Sequence, residues 1–350
     1  MTVIPYCKHE IKDADRLAVI EALDSGWIAG SGPTTKRFEE KVQEITGYKY
    51  AVTVNSGTAA LHVAIQAVYG ELPHRTTIAV PALSFVATAN AVLHAGRKVE
   101  FYDIDPTNMT GDKWGDVGVS YAGYPVRYCT VADDAHALRP DMPKGPIARC
   151  VSTHALKQVT TAEGGLVLTD DGSVAEMCRI LRDHGRTTVD SMKYLGYNYR
   201  MPDICAALGL SQIQRLGKNL HRRKEIVHRY LAGLDDLQSY IQLPPSHPAH
   251  AWHLFVIRLN LDKIKRTRDE FKTALFSHGI GTQLHYKPIT EMGYYQDYKR
   301  IDHIPWGELL PNTYSAWQRI LSLPLYPSMT DEEVERVLLA LHKVVESVVA

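Results

Sequence analysis

Apolar residues recur along this chain at two spacings, about every third or fourth position in some stretches and every second in others. Residues 13–23 open with acidic side chains and carry apolar ones at helical spacing, which predicts a short amphipathic helix ended by Ser25-Gly26. A loop with Gly26, Gly30 and Gly32 leads into a second predicted helix over 35–46. Residues 50–55 alternate as a strand does, and Ser56-Gly57-Thr58 then opens a helix with an apolar stripe. Strands are predicted at 76–80, stopped by Pro81, and at 99–105, with a helix between them that Ser84-Phe85 opens. A strand follows Gly165, a helix covers 174–185, and a long helix begins after Pro202-Asp203, where proline suits a first turn. Beyond residue 240 the pattern gives a strand at 250–259, a helix at 267–279, a second strand at 279–289 and a closing helix at 331–348. The expectation is an α/β protein with a large domain over 1–215, then a long interdomain helix and a small C-terminal α/β domain over 216–350.

One interval is unusually short. Residues 118–121 and 128–133 both read as strands, yet only about six residues separate them, whereas a parallel crossover carrying a helix needs ~10–12. The chain is therefore expected to lack a helix there, exposing a surface for a partner or a second subunit.

Composition narrows the class. With 350 residues, 45% of them hydrophobic, the chain is long enough for a sizeable core. Its 39 basic and 39 acidic residues cancel, so no global field draws it to nucleic acid or a membrane surface. The basic cluster over 212–230 has no interleaved aromatic platform and reads as a solvated helix face. Five scattered cysteines without C-x-x-C spacing argue against a disulfide framework and against a metal site, and they fit a reducing cytosol. The N-terminus lacks an apolar signal core and no run of eighteen apolar residues occurs, so a soluble, cytoplasmic enzyme is expected.

The candidate chemistry centres on Lys157, set among Ser152, Thr153, Thr160 and Thr161 and followed by Glu163-Gly164-Gly165. Most lysines are solvated surface charges, but this one has company. An aspartate, Asp133, ends an apolar stretch, and Ser56-Gly57-Thr58 stands at a helix mouth. Pyridoxal phosphate needs such a set: an amine for the imine, a carboxylate for the ring nitrogen, and a helix N-terminus with hydroxyls for the phosphate. Asp134 rivals Asp133 for the carboxylate role.

The segments NSGTAAL, PALSFVATANAV, ADDAHAL, STHALKQVTTAEGG, LGYNYRMPDICAALGLSQ, GTQLHYKPI and SLPLYPSMTDEEVERV resemble, in wording and order, the DegT/StrS family of sugar-nucleotide aminotransferases. The resemblance runs from about residue 4 to the C-terminus. Within the family, VSYAG, ADDAHAL, HALKQVTTAEGG and HYKPI are most similar to the enzymes that aminate C4 of a UDP-4-keto-6-deoxy-N-acetylhexosamine in pseudaminic acid biosynthesis.

The resemblance implies the fold of type I pyridoxal phosphate aminotransferases, a large mixed sheet of seven-stranded type with a smaller C-terminal α/β domain. It implies that Lys157 carries the cofactor as an internal aldimine, that Asp133 meets the pyridine nitrogen, and that His136 lies near the ring hydroxyl or the substrate edge. It places Phe85, otherwise a core aromatic, against the pyridine face. Gly57, Thr58 and Ser152, with Ser56, would hold the phosphate, and Asn198 would reach the cofactor of a neighbouring subunit, making a homodimer with shared sites. The glycine loop is either a plain connector or a border of the substrate that involves Trp27. Arg200 is either a core ion pair or a carboxylate ligand for the amino donor, and His285, Tyr286 and Lys287 face the cleft. Thr290 departs from the family, which usually has histidine there. The implied reaction moves an amino group from L-glutamate to a nucleotide-linked keto sugar, UDP- or dTDP-linked, by a ping-pong mechanism. The alternative is an enzyme of the same fold acting on a modified nucleotide or another keto substrate. A dehydratase of the family would have histidine in place of Lys157, and a non-catalytic binding module would need no such set.

Overall fold

The computed structural model describes residues 2–70, 74, 76–111, 115–296 and 304–349. The chain begins with α1 (Asp13–Asp24) and α2 (Pro33–Thr46), followed by β1 (Tyr50–Val54) and α3 (Gly57–Tyr69). Next come β2 (Thr77–Pro81), α4 (Ala87–His94), β3 (Lys98–Tyr102), β4 (Gly115–Val119), β5 (Cys129–Asp133), β6 (Ala148–Ser152) and β7 (Gly165–Thr169). After α5 (Gly172–Arg182), a hairpin of β8 (Arg186–Thr188) and β9 (Ser191–Met192) leads to α6 (Asp203–Ile213) and α7 (Leu216–Gly233). The C-terminal part holds β10 (Ile241–Gln242), β11 (Phe255–Leu259), α8 (Arg268–Ser277), α9 (Gly293–Gln296), α10 (Trp306–Leu309), α11 (Pro311–Arg319), β12 (Ile320–Leu323) and α12 (Asp331–Val349).

The main sheet has the order β1-β7-β6-β5-β4, with β7 antiparallel to both neighbours and the β6-β5-β4 steps parallel. The parallel pair β2-β3 flanks β4 without joining its ladder; it is tied there by the Ala79 N–H to Asp116 Oδ2 (2.9 Å) and the Tyr102 hydroxyl to the Val117 carbonyl (2.7 Å). The seven strands are thus divided five and two. Consecutive side chains on a strand face opposite layers. Val167 accordingly packs with α3 and α5 on one face, while Leu166 and Leu168 pack with Phe38 and Val42 of α2 and Ile213 of α6 on the other. Both faces being covered, β7 reads as an unbroken apolar run and is buried throughout.

Three sequence expectations are corrected. The long helix after Asp203 is two helices, broken at Gln214–Arg215, where Arg215 turns to bind Asp15 through both guanidinium nitrogens (3.0 and 2.8 Å). The segment 279–289 is not a strand: it makes only two isolated bridges, Ile280 to Ile4 and Gln283 to Ser322, and β12 takes the place beside β11. The reason is that the segment bends into the large domain, where Ile289 joins the core formed by β2, α3 and α4. Ser84-Phe85 precede a helix whose first turn starts later, at Ala87.

The expected shortness between β4 and β5 is observed. These strands are parallel, yet the residues between them form only a single 3-10 turn at Tyr121–Gly123. A second apolar core joins α7, β11, α8, β12 and α12. It also takes in Ile4, whose N–H donates to the Gly279 carbonyl (2.9 Å), so the N-terminal segment belongs to the C-terminal part in packing.

Candidate active site

The carboxyl ends of β1, β5 and β6 converge on one cavity of about 400 Å³, the end at which open α/β sheets bind ligands. Register explains the convergence. Gly165 pairs with Val54 on one side and Ser152 on the other, and Asp133 pairs with Val119 and Cys150. Of the residues expected from the sequence, Ser56, Gly57, Thr58, Phe85, Asp133, His136, Ser152, Lys157, His285 and Tyr286 all line this cavity. Trp27, Asn198, Arg200 and Lys287 do not. Trp27, Asn198 and Lys287 are exposed on the surface, and Arg200 is ion-paired with Asp183.

At the helix mouth, Ser56 caps α3 by accepting from the Ala59 N–H (3.0 Å). The first-turn N–H groups of Gly57 and Thr58 have no intrahelical acceptor, and the helix dipole makes this end attractive to an anion. The site is tightly built: a Cβ at Gly57 would fall 2.8 Å from the Ser152 Cβ, so the turn and the end of β6 are in contact.

Across the cavity, Asp133 Oδ2 accepts from the Thr88 hydroxyl (2.7 Å), which is also hydrogen-bonded to the Ser84 hydroxyl (2.7 Å), and Oδ1 accepts from the Ala135 N–H (3.2 Å). Its rival Asp134 turns away. Asp134 is fully buried, bonded to the Arg149 guanidinium (2.6 Å) and the Ser120 hydroxyl (2.5 Å), and takes no part in the cavity lining.

Burial dominates the electrostatics. It lowers the Lys157 amine to about 8, with Asp133 partly opposing the drop. It raises Asp133 above the ordinary carboxylate range, against the hydrogen bonds from Thr88 and Ala135 and the charge of Lys157. Burial also pushes His136 and His253 well below their usual range and His285 down to about 4, and Lys157 adds to each shift. All three imidazoles are thus neutral at pH 7. His136 Nε2 lies 3.0 Å from the Tyr286 hydroxyl, and the Gln158 amide donates to the His136 carbonyl (3.0 Å).

Pyridoxal phosphate fits this donor set. An amine brought down to about 8 by burial, a buried carboxylate, and a cup of hydroxyls and free N–H groups border one space of a size usual for small-molecule sites. Among the described residues no cluster of His, Cys, Asp and Glu suits a metal ion, and no helix is long and apolar enough to cross a membrane.

Several lining residues carried no local signal. Tyr6, Cys7, Tyr121 and His253 reach the cavity from segments distant in sequence, and Thr88, behind Asp133, is one of many hydroxyls in a predicted helix. The spacing Ser84 to Thr88, one helical turn, was the only hint that the two hydroxyls share a partner.

The model of the DegT/DnrJ/EryC1/StrS aminotransferase family matches residues 9–113 and 133–342. Among solved structures, the chain is similar to Helicobacter pylori PseC, described as an aminotransferase involved in the biosynthesis of pseudoaminic acid. That match has 27% identity and a TM-score of 0.88 and covers 99% of this chain and 100% of that one. It is also similar to the putative sugar aminotransferase Spr1654 from Streptococcus pneumoniae in its PLP form, with 26% identity, a TM-score of 0.86, and 99% and 100% of the two chains covered. The PMP form of the same protein matches with 26% identity, a TM-score of 0.87, and 99% and 98% covered. With its fold, its lysine and aspartate in one cavity and a family match over most of its length, this chain belongs to the DegT/DnrJ/EryC1/StrS aminotransferase family.

Proposed function

We propose that this aminotransferase moves an amino group from L-glutamate to a nucleotide-linked keto sugar, a UDP- or dTDP-4-keto-6-deoxyhexose, with pyridoxal phosphate seated in the cavity. The observation that carries this reading is that Lys157, Asp133 and the mouth of α3 line the same cavity. The likeness to PseC supports a sugar as acceptor.

When bound, pyridoxal phosphate supplies an aldehyde that a primary amine captures and a protonated ring that draws electron density from the bond being broken. Ser152, Thr58 and the free N–H groups of the first turn of α3 would hold the phosphate. Asp133, whose charged form the Thr88 hydroxyl and the Ala135 N–H favour, would retain the proton on the ring nitrogen. His136, oriented by Tyr286, would stand at the ring-hydroxyl edge, and Phe85, at the cavity mouth, would cover the ring face. Lys157 Nζ takes the Cα proton of L-glutamate in the first half-reaction and returns a proton to the sugar carbon in the second. An amine lowered to about 8 is suited to both tasks. Because 2-oxoglutarate leaves before the sugar enters, the kinetics are ping-pong.

Of the expected residues outside the cavity, Trp27 and Asn198 fit a second copy of the chain. Trp27 and Ile28, with Val189, Met192 and Leu195 around the β8-β9 hairpin, are large apolar side chains left exposed. A homodimer that covers them would bring Asn198 to the partner's cavity. The deciding experiment adds L-glutamate to the purified holoenzyme and measures 2-oxoglutarate, then adds UDP-4-keto-6-deoxy-N-acetylhexosamine and weighs the product. Full transamination by Lys157→Ala, or no turnover with any nucleotide-linked keto sugar, would sink this reading.

A further inference from the structure

The family match breaks between residues 113 and 133, the stretch that holds β4 and the helix-free crossover to β5. A parallel connection usually carries a helix of its own, which covers the sheet and satisfies its backbone internally. Here the nine residues between Val119 and Cys129 must be held by something else. Val119, Ser120 and Tyr121, at the start of this stretch, line the cavity.

What holds them is an ion pair with no access to solvent. Arg149 and Asp134 are both fully buried, joined at 2.6 Å. Asp134 also accepts from the Ser120 hydroxyl (2.5 Å), and Arg149 donates to the Val126 carbonyl (2.8 Å) and to the Tyr48 hydroxyl (3.0 Å). The pair therefore grips the crossover at two points six residues apart and fastens it to β6 and to the end of α2. Between those points the chain turns through Ala122 and Gly123 at positive φ and lies against the segment 251–254. The Ala122 carbonyl accepts from the His253 N–H (3.0 Å), and the Gly123 carbonyl from the Ala251 N–H (2.8 Å). A Cβ at Gly123 would fall 2.9 Å from the His136 carbonyl oxygen and 3.0 Å from the Trp252 nitrogen, so the turn is seated closely on both. The outcome is the placement of Tyr121, whose side chain is enclosed and whose hydroxyl donates to the His285 carbonyl on the cavity wall.

We infer that Asp134 and Arg149 are positioning residues: their buried pair replaces the missing crossover helix and presses residues 120–126 against the cavity, so that Tyr121 forms the wall of the acceptor-sugar subsite. A buried ion pair is costly to desolvate and is a weak device for stability alone, whereas fixing one arrangement of the chain is its best-attested use. Neither residue touches the cavity, so the pair acts through Ser120, Val126 and Tyr121. The acceptor part of this inference rests on the function proposed above; the structural part does not.

The test uses the double variant Asp134→Leu/Arg149→Met, which removes both charges together and avoids leaving one buried alone. Two readouts are taken on the full-length protein. Hydrogen exchange, measured without substrate, should be at least about tenfold faster at residues 120–126 in the variant, with β6, β7 and α3 unchanged. Steady-state kinetics should show KM for the keto sugar raised about tenfold or more, with the rate of the glutamate half-reaction within about threefold of the wild type. Unchanged exchange at 120–126 overturns the inference whatever the enzyme's reaction proves to be. Faster exchange with an unchanged KM for the keto sugar overturns the assignment of the subsite wall. A wild-type enzyme that ignores glutamate while the exchange difference persists strikes the proposed function and the subsite assignment with it, and upholds the pair as the clamp. If the double variant fails to fold, Arg149→Lys, which keeps the charge but loses the fork that reaches Val126 and Tyr48, is read in the same two ways.

Discussion

The Thr88 hydroxyl donates to Asp133 Oδ2 across 2.7 Å, joining the first turns of α4 to the end of β5. Burial raises the Asp133 carboxyl, and this bond to its charged form opposes that rise. Thr88→Val removes the hydroxyl and keeps the shape. A hydrogen bond to a charged group is worth ~1.5–3 kcal/mol, so kcat should fall by about tenfold or more. Thr88→Ser should recover most of it. Measured kcat values for the two variants, together with the pH titration of the bound cofactor's absorbance, check this; equal kcat for wild type and Thr88→Val would refute it.

The amine of Lys157, lowered to about 8 by burial, sets a pH dependence on cofactor capture. Only the neutral amine attacks an aldehyde. The rate at which cofactor-free protein takes up pyridoxal phosphate should therefore rise about tenfold per pH unit below 8 and level off above it. A stopped-flow series between pH 6 and pH 9.5 gives the profile, and a rate still climbing beyond pH 10 would mean the amine is solvated.

The same shift has a sign in stability. A lysine whose pKa is lower folded than unfolded costs stability below the folded value, and the cost fades as pH rises from about 8 to the ordinary 10.5. Lys157→Met should thus stabilise the cofactor-free protein at pH 7 by ~1–3 kcal/mol, with a smaller gain at pH 10. Urea unfolding of both proteins at the two pH values tests this; a destabilised variant at pH 7 contradicts it.

Gly165 sits at the meeting of β1, β6 and β7, where a Cβ would come 2.4 Å from the Ser56 carbonyl oxygen and 2.9 Å from the Gly57 nitrogen. These are backbone atoms of the helix mouth, so they cannot swing aside as a side chain would. Gly165→Ala should destabilise the protein by ~1–3 kcal/mol and weaken cofactor retention together. Thermal unfolding with and without added pyridoxal phosphate separates the two effects.

If Asn198 serves the partner's cavity, two inactive chains should complement one another. Lys157→Ala and Asn198→Ala, unfolded and refolded together, should form mixed dimers in which one of the two sites has both residues, restoring up to about a quarter of wild-type activity. No recovery on mixing, with dimers verified by sedimentation, would place Asn198 in its own chain's chemistry or in none.

The chemistry of this site was readable in the sequence to the extent that it is made of local units. Ser56-Gly57-Thr58 at a helix mouth, Asp133 at the end of an apolar strand and Lys157 before a glycine pair are each defined by a few neighbouring residues, and all three line the cavity. The missing crossover helix was legible too, because chain length alone forbids it. The segment 279–289 is not a strand because its few apolar residues, Ile280, Leu284 and Ile289, can be buried as well by a chain that bends between two cores as by one that pairs with a sheet.

Spacing by itself gave an α/β chain with a candidate amine, a candidate carboxylate and a helix mouth suited to an anion, and the resemblance to a family supplied the reaction. Only the tertiary structure shows that Asp133, and not its neighbour Asp134, lines the cavity, since the two share one local pattern. Adjacent side chains at a strand end point to opposite sides, and which side is the cavity depends on Arg149, fifteen residues away in sequence and 2.6 Å away in space. The same holds for Tyr6, Cys7, Tyr121 and His253, since a wall built from separate segments exists only once the strands and the crossover have been brought together.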